Sequence, residues 1–225
     1  MAQIGNPVKR VTRSKNVAKD SYDRLSKWYD FIAGTSEWKF VQIGLELLQA
    51  SRGETILDIG FGTGKGICSI AKSVGETGQV YGIDLSEGMF QIATTRLDQT
   101  DLSSRVQLRC GDAIKLPYAD NFFEGVFMSF TLELFDTPEI PIVLKECYRV
   151  LRSEHRLVVV ALSKKSQDSL SVRLYEWAHE KFPNYVDCRP IYLKMALQEA
   201  EFQIAETQEI KMWGLPVDII LANKI

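Results

Sequence analysis

The sequence predicts an α/β protein with a mostly parallel sheet, because apolar runs alternate with segments of helical periodicity along the chain. One observation is the run ILDIGFGTGKG at 56–66, where an apolar stretch ends at Asp58 and glycines follow at every second position. Another is that Ile67, Ile70, Ala71 and Val74 recur at the spacing of one helix face. A strand, a glycine-rich loop and a helix are therefore expected in that order.

The glycine loop predicts a ligand, and its spacing narrows the choice. Glycine allows the backbone to bend tightly or approach a ligand, and the following helix aims its first amides at that ligand. A dinucleotide fingerprint needs a third glycine where Lys65 or Ile67 stands. A phosphate-binding P-loop needs Ser or Thr where Gly66 follows Lys65. The loop therefore fits neither of these two ligand classes well.

Further strands and helices are predicted after the glycine loop. One strand ends at Asp84, and the others lie within 106–113, 122–130 and 156–162. The helix before the last of these is expected to bury Ile140, Val143, Leu144, Cys147 and Leu151. The alternation breaks at 163–200, which holds two predicted helices. Two more strands, 202–210 and 217–223, follow and are joined through residues 213–216.

Two aspartates stand where successive predicted strands end. In doubly wound sheets an acidic residue after the second strand reaches ribose hydroxyls, and a carboxylate can accept from both hydroxyls at once. Asp84 occupies that place, and Asp112 follows the third strand. Because the carboxyl ends of parallel strands meet at one edge of the sheet, these loops are expected to share a crevice. The alternative is that both aspartates only cap neighbouring helices.

The glycine loop and the two acidic loops resemble the corresponding motifs of class I S-adenosylmethionine-dependent methyltransferases. Nearly the whole chain is similar to the ubiquinone/menaquinone C-methyltransferase family, through YDRLSKWYDFIAG (22–34), DNFFEGVFMSFTLELF (120–135) and ECYRVLRSEHRLVVVALS (146–163). The resemblance implies a Rossmann-like sheet of seven strands, mostly parallel, with helices on both faces and an antiparallel C-terminal hairpin. It also implies an N-terminal helical lid and S-adenosyl-L-methionine as the cofactor.

A single domain is expected over residues 1–225. Its parts are a tail and lid at 1–40, a cofactor-binding core at 41–162, a helical insert on the substrate side at 163–200 and a closing hairpin at 201–225. Apolar and aromatic residues at 20–33 recur at spacings of three and four, which predicts an amphipathic helix for the lid, although plain packing explains the same pattern.

The resemblance places the cofactor contacts on the lid, the glycine loop, the next two loops and the end of the fourth strand. The residues are Tyr22, Tyr29, Asp58, Gly60, Gly62, Thr63, Gly64, Asp84, Leu85, Met89, Asp112, Ala113 and Ser129.

No catalytic residue can be assigned from the sequence. A sulfonium methyl is already electrophilic, so a general base is needed only for a protonated acceptor. His155 precedes the fifth strand, away from the crevice, whereas His179 lies in the insert. Glu133 and Asp136 follow the fourth strand and are expected to face the crevice. Glu133 and His179 are therefore the candidates, each with a plain surface role as the alternative.

Composition excludes several classes of function. The formal net charge of −2 argues against a dedicated nucleic-acid binder. No apolar run is long enough for stable membrane insertion and no signal peptide is visible, so a cytoplasmic protein is expected. The four cysteines form no CxxC pair, which predicts reduced thiols and no metal site. The expected partner is a small-molecule acceptor, and a homodimer is compatible with the sequence.

The sequence thus predicts a methyltransferase of a small organic acceptor, with quinone-type C-methylation as the leading subclass. Three departures from the quinone enzymes bear on the acceptor: Arg24-Leu25 replaces their Met-Asn pair, Ser153-Glu154-His155 replaces their Pro-Gly-Gly turn, and Ala161 replaces a glutamate. O- or N-methylation of a small molecule, a non-catalytic cofactor-binding regulator and a nicotinamide-dependent reductase remain as alternatives.

Overall fold

The computed structural model describes residues 34–164 and 188–225, which form a sheet between two layers of helices. The strands are β1 (Thr55–Ile59), β2 (Gln79–Asp84), β3 (Val106–Cys110), β4 (Phe123–Ser129), β5 (Leu151–Leu162), β6 (Gln203–Met212) and β7 (Leu215–Asn223). The helices are α1 (Gly34–Leu48), α2 (Lys65–Val74), α3 (Glu87–Asp98), α4 (Ile140–Val150) and α5 (Leu193–Glu199). The predicted lid helix and the first helix of the insert lie outside the described residues.

The sheet has the strand order β3-β2-β1-β4-β5-β7-β6. The first five strands pair in parallel, and β7 is antiparallel to both of its neighbours. This confirms the predicted mostly parallel, Rossmann-like sheet with its antiparallel C-terminal pair. The chain leaves β1 toward β2 on one side and later returns to place β4 on the other, so the switch point lies between β1 and β4.

The two faces of the sheet carry separate apolar layers. Buried side chains of α1, α2 and α3 form one cluster with inward residues such as Ile56 and Val80. Buried side chains of α4 and α5 form the other cluster with residues such as Leu57 and Val159. Because consecutive strand residues point to opposite faces, a parallel strand covered on both sides must be apolar throughout. The apolar run before the glycine loop therefore reflects burial on both faces.

Two element boundaries differ from the predictions. Leu151, expected on the buried face of α4, is instead the first residue of β5, which begins five residues earlier than the predicted strand at 156. The early part of β5 pairs with Phe123 before the register shifts to Arg156 opposite Gly125. The final hairpin is tighter than predicted, with only Trp213 and Gly214, both at positive φ, between β6 and β7. Such a two-residue turn matches the twist of paired strands.

No helix within 34–164 or 188–225 combines the length and hydrophobicity needed to cross a membrane.

An arginine clamp joins several elements at the amino end of the parallel strands. The guanidinium of Arg156 donates to both carboxylate oxygens of Glu54, at 2.9 and 2.7 Å, and to the carbonyl oxygens of Leu48, Gln49 and Glu124. Burial alone would raise the pKa of Glu54, but hydrogen bonds from Arg156 and the Ser51 amide outweigh it and lower that pKa below its usual value. The clamp ties the end of α1 to β1, β4 and β5.

We expect Arg156→Met to lower the free energy of unfolding by about 2 to 4 kcal/mol at pH 7, because it leaves the partly buried Glu54 carboxylate without its partner. Denaturant unfolding of the full chain measures this. Since the pKa of Glu54 is lowered by folding, the stabilisation from its charge is present above the unfolded pKa and is lost as pH falls through the folded value. The difference between the two proteins should therefore shrink in acid.

The matched control is Arg52→Met, which removes the same charge from an exposed turn. Its stability should stay within about 0.5 kcal/mol of the parent. Equal losses in the two variants would contradict the clamp.

Candidate functional site

The candidate site lies at the carboxyl ends of β1, β2 and β4, beside the switch point of the sheet. Asp58 and Ile59 end β1, Asp84 ends β2 and Ser129 ends β4. In open α/β sheets the loops leave a switch point in opposite directions, and ligands bind in the crevice between them. The strand order therefore brings together side chains that are up to 71 residues apart in sequence.

The glycine loop packs closely against Thr131 at Gly60, whereas at Gly62 the described residues leave space beside the backbone. Gly60 has φ +76°, its amide donates to the Ile83 carbonyl oxygen at 2.7 Å, and a Cβ there would lie 2.2 Å from Thr131 Oγ1. Gly62 has φ +52°, yet no described atom lies within 4 Å of where its Cβ would stand. Both positions need glycine for their backbone conformation. At Gly62 the backbone also presents a bare face that a ligand can approach.

The loop leads into α2 without a side-chain cap. Gly64 is the N-cap residue and makes no side-chain hydrogen bond to the first turn. A helix start has backbone N–H groups with no partner within the helix, and its dipole favours negative charge there. The first turn of α2 thus offers donors to an anionic group of a ligand.

Asp84 is oriented by two backbone amides. Its Oδ2 accepts from the Gly62 amide and its Oδ1 from the Ser86 amide, both at 2.9 Å. Helix α3 is capped by Ser86, whose hydroxyl accepts from the Met89 amide at 3.1 Å. The helix-cap alternative for Asp84 is therefore wrong. A carboxylate in this orientation is a suitable acceptor for hydroxyl donors of a ligand.

Asp58 is a buried carboxyl group to which no residue in the described ranges donates a hydrogen bond. Only 3% of the residue is exposed. Burial, together with the nearby charge of Asp84, raises the pKa of Asp58 to about 8. Its Oδ2 lies 3.6 Å from the position of a Cβ on Gly66, at the start of α2. A buried carboxyl group without a donor is costly, so this geometry favours a ligand that carries a positive charge or N–H groups.

Ser129 adds a second buried polar atom for which the described residues provide no hydrogen-bond partner. Its Oγ is buried, and no hydrogen-bond partner for it exists among the described residues. The neighbouring Thr131 donates its hydroxyl to the Ser129 carbonyl oxygen at 2.8 Å and packs under Gly60. The end of β4 therefore supports the glycine loop and offers a free hydroxyl beside it.

The remaining predicted contacts in the described chain surround the same loops. Asp112 Oδ1 accepts from the Ile114 amide at 3.1 Å, and the Gly111 amide donates to the Asp84 carbonyl oxygen at 2.8 Å, so the third loop is joined to the second. Thr63, Met89 and Ala113 are buried, with exposed fractions of 7%, 2% and 3%. Leu85 is half-buried, and its carbonyl oxygen accepts a hydrogen bond from the Cys110 thiol. Tyr22 and Tyr29 lie outside the described residues.

The two acidic residues after β4 that were expected to face the crevice both form hydrogen bonds within the described chain. Glu133, expected to face it, is fully buried, and its Oε1 accepts from the Leu162 amide at 3.1 Å. This contact joins the loop after β4 to the end of β5. Asp136 is engaged with α4, because its carbonyl oxygen accepts from the Glu139 amide while its own amide donates to the Glu139 carboxylate. His155 lies in β5 near its amino end, as predicted, and His179 lies outside the described residues.

Arg189 is a buried residue that anchors the later part of the insert. Only 3% of Arg189 is exposed, and its guanidinium donates to Thr137 Oγ1 and to the Phe135 carbonyl oxygen. Nearby, Ser163 at the start of the insert forms a parallel bridge with Ile191 in its later part. These contacts fix residues 163 and 189–191 next to the carboxyl ends of β4 and β5.

Two residues that support the loop were not identified from the sequence. Thr131 lies under Gly60, and Arg96 donates its Nε to the Thr63 carbonyl oxygen at 2.8 Å. Thr131 follows a strand end, which is a usable signal. Arg96 lies in the last turn of α3, 33 residues from Thr63, and no sequence pattern points to this contact.

No group of three or more metal-ligating side chains occurs in the part of the chain that the structure describes.

Comparisons with known proteins show which families and folds this chain is similar to. Residues 56–154 match the family described as "Methyltransferase domain". A demethylmenaquinone methyltransferase of Oceanobacillus iheyensis is 29% identical over 161 residues, which cover 72% of this chain and 66% of that protein. In the first three curated relatives, the matched region spans only 55% to 66% of the relative's length.

Solved structures show the same fold at low identity. The [4+2]-cyclase SpnF has a TM-score of 0.76 and 19% identity, with 98% of each chain covered. A SAM-dependent methyltransferase from Aquifex aeolicus has a TM-score of 0.68 and 22% identity, with 90% of this chain and 98% of that chain covered. Together with the family match, these comparisons confirm the resemblance to class I methyltransferases and S-adenosylmethionine as the cofactor of this domain class.

We expect Asp58→Asn to stabilise the ligand-free protein at high pH. The pKa of Asp58 is raised from 3.8 to about 8 by folding. The stability associated with this group is therefore complete below the unfolded pKa and is lost as pH rises through the folded pKa. Asparagine stays neutral, so the variant should be more stable than the parent by about 2 kcal/mol or more at pH 8. The two proteins should converge near pH 3.

Denaturant unfolding between pH 3 and pH 9 measures this difference, and the exposed Asp98→Asn on α3 is the charge-matched control. A constant difference between Asp58→Asn and the parent across that range would show that Asp58 is ionised in the folded protein.

Proposed function

We propose that this protein transfers a methyl group from S-adenosylmethionine to a small organic acceptor, because residues 56–154 match a methyltransferase domain family and the chain is similar to the demethylmenaquinone methyltransferases. The observation that carries the proposal is the buried Asp58 carboxyl group, which has no donor in the described chain and stands beside a glycine loop with an open face.

The chemistry of the cofactor fits the donor and acceptor groups of the site. Its ammonium supplies the positive charge that a buried carboxyl group such as Asp58 requires. Its carboxylate suits the uncapped start of α2, where a helix dipole favours negative charge. Its ribose hydroxyls suit the carboxylate of Asp84, which two backbone amides align. Asp112 and Ala113 lie on the next loop, where the family binds adenine.

The part played by the protein in the transfer is mainly positional. When bound, S-adenosylmethionine supplies a sulfonium methyl that is already electrophilic. Asp58 would hold the ammonium of the cofactor's amino acid tail and Asp84 would hold its ribose. Aligning the cofactor against an acceptor lowers the barrier by about 7 kcal/mol or more for well-oriented pairs. Ser129 Oγ, buried at the end of β4, is placed to bind a polar atom of the cofactor or of the acceptor.

A quinone-type acceptor methylated at carbon is the proposed subclass, and the support is the names of the relatives. One departure from that subclass lies away from the crevice, since Ser153-Glu154-His155 stands in the irregular early part of β5. Ala161 stands where the quinone enzymes have a glutamate, but a neighbouring strand supplies a carboxyl group on the same face of the sheet. Asp218 of β7 pairs directly with Ala161, is 2% exposed and accepts the Ser163 hydroxyl at 2.6 Å.

The structural similarity to a [4+2]-cyclase means that the fold alone does not imply methyl transfer. Cofactor binding without turnover, as in a regulator, would use the same loops. An experiment on function must therefore measure the transferred methyl group as well as cofactor binding.

We expect Asp84→Ala to weaken S-adenosylhomocysteine binding by about 2 kcal/mol or more, because a charged hydrogen-bonding group is lost from the ribose end. Titration calorimetry on the full chain measures the dissociation constant. Asp98→Asn on the exposed side of α3 is the control and should bind normally. An unchanged dissociation constant in a folded Asp84→Ala protein would contradict the proposal that Asp84 binds the ribose.

We expect methyl transfer to be independent of metal ions and of His155. The protein, methyl-labelled S-adenosylmethionine and either a demethylated quinone or a small-molecule extract should yield labelled product, detected by mass spectrometry. Activity should survive EDTA and His155→Ala, since the described chain shows no metal cluster and His155 lies at the far end of β5.

The Asp84→Ala protein is the negative control for that assay. Activity lost to EDTA and restored by magnesium would contradict the metal-independent mechanism. Normal cofactor binding with no labelled product from any extract would favour the regulator.

A further inference from the structure

Helix α3 reaches the glycine loop through Arg96. The Nε of Arg96 donates to the Thr63 carbonyl oxygen at 2.8 Å, although the two residues are 33 positions apart. Arg96 is half-buried and Thr63 is 7% exposed. A hydrogen bond from a charged donor to a buried carbonyl oxygen is among the stronger ones in proteins. The contact therefore fixes the orientation of the Thr63 carbonyl group toward α3.

Arg96 belongs to a set of contacts through which β2 and α3 hold three consecutive loop residues. Gly62 is held by its amide on the Asp84 carboxylate. Thr63 is held by Arg96, and Gly64 packs so closely on α3 that a Cβ would lie 2.9 Å from the Cβ of Ala93. Residues 62–64, which are proposed to contact the amino acid tail of the cofactor, are thus held by β2 and α3. Strand β2 also carries Asp84, the proposed ribose acceptor.

Without Arg96, the Thr63 carbonyl group loses its fixed partner in a buried place. A buried carbonyl oxygen requires another donor, and the glycine after Thr63 lets this peptide unit reorient, although doing so also disturbs the hydrogen bond from the Gly64 amide to the Phe61 carbonyl oxygen at 3.0 Å. Rotation of this peptide changes where the adjacent amides point and can turn a carbonyl dipole toward the carboxylate of the cofactor. The proposed ribose and adenine contacts, Asp84, Asp112 and Ala113, lie at the end of β2 and after β3, outside this peptide. The Gly62 amide that orients Asp84 belongs to the preceding part of the loop.

We propose that Arg96 is a positioning residue for the amino acid end of the cofactor, acting through the Thr63 carbonyl group. The proposal rests on the proposed function, because it assumes that S-adenosylmethionine binds along the glycine loop. Loss of Arg96 should therefore weaken binding of the amino acid tail and leave binding of the adenosine part unchanged.

Two ligands separate this role from a general structural one. S-adenosylhomocysteine carries the amino acid tail, whereas 5′-methylthioadenosine shares the adenine, ribose and thioether but lacks that tail. Titration calorimetry with both ligands should use the full-length parent and the variants Arg96→Met, Arg96→Lys and Arg52→Met. The last variant removes the same charge from an exposed turn at the opposite end of the sheet. Thermal unfolding of each variant checks its folding.

Arg96→Met should bind S-adenosylhomocysteine about tenfold or more weakly and 5′-methylthioadenosine within about twofold of the parent. Arg96→Lys, which keeps a charged donor, should recover part of the loss, and Arg52→Met should match the parent. Equal binding of both ligands by Arg96→Met and the parent would overturn the proposal, as would equal losses for the two ligands. Failure of the parent itself to bind S-adenosylhomocysteine would instead overturn the proposed function and the inference with it.

Discussion

The buried carboxyl group of Asp58 is the constraint on which the candidate site depends. It ends a strand that is covered on both faces, so burial and the neighbouring Asp84 raise its pKa to about 8. No described residue donates to it. A protein keeps such a group at a cost in stability, and costly buried groups gather at functional sites. A cationic ligand would offset that cost, so the proposed cofactor would gain affinity through its ammonium at the expense of the stability of the unoccupied site.

The glycine loop lies next to the Asp58 carboxyl group, and its conformation depends on contacts with neighbouring elements. Thr131 after β4 fills the space where a side chain at residue 60 would lie. The β2–α3 unit holds the next residues through Asp84, Ala93 and Arg96. An anion-binding loop of bare backbone has little packing of its own, so its shape must come from its neighbours. The same unit that would bind the ribose therefore sets the geometry of the tail end.

The acceptor side of the crevice is organised by buried polar contacts of a different kind. Arg189 fixes the end of the insert to the loop after β4, and Ser163 joins β5 to Asp218 of β7. Glu133 ties that same loop to the end of β5. These contacts join the elements that border the acceptor side of the crevice. None of these groups is proposed to react with the acceptor. Relatives named for quinone methylation and a structural neighbour that is a cyclase are both compatible with such a frame.

The sequence by itself determined the class of fold, the glycine loop and the acidic loops, because these depend on local patterns. Apolar runs mark strands covered on both faces, positive φ requires glycine, and the four buried positions of α2 follow helical spacing. The tertiary structure alone decided what these residues contact. Glu133 and Arg189 are buried anchors although their residue types suggested exposed roles, and Leu151 starts β5 because strand pairing with Phe123 outweighs its place in the helical pattern. Arg96 and Thr63 meet only because α3 packs beside the loop, and a hydrogen bond between segments 33 residues apart leaves no periodic trace in a sequence.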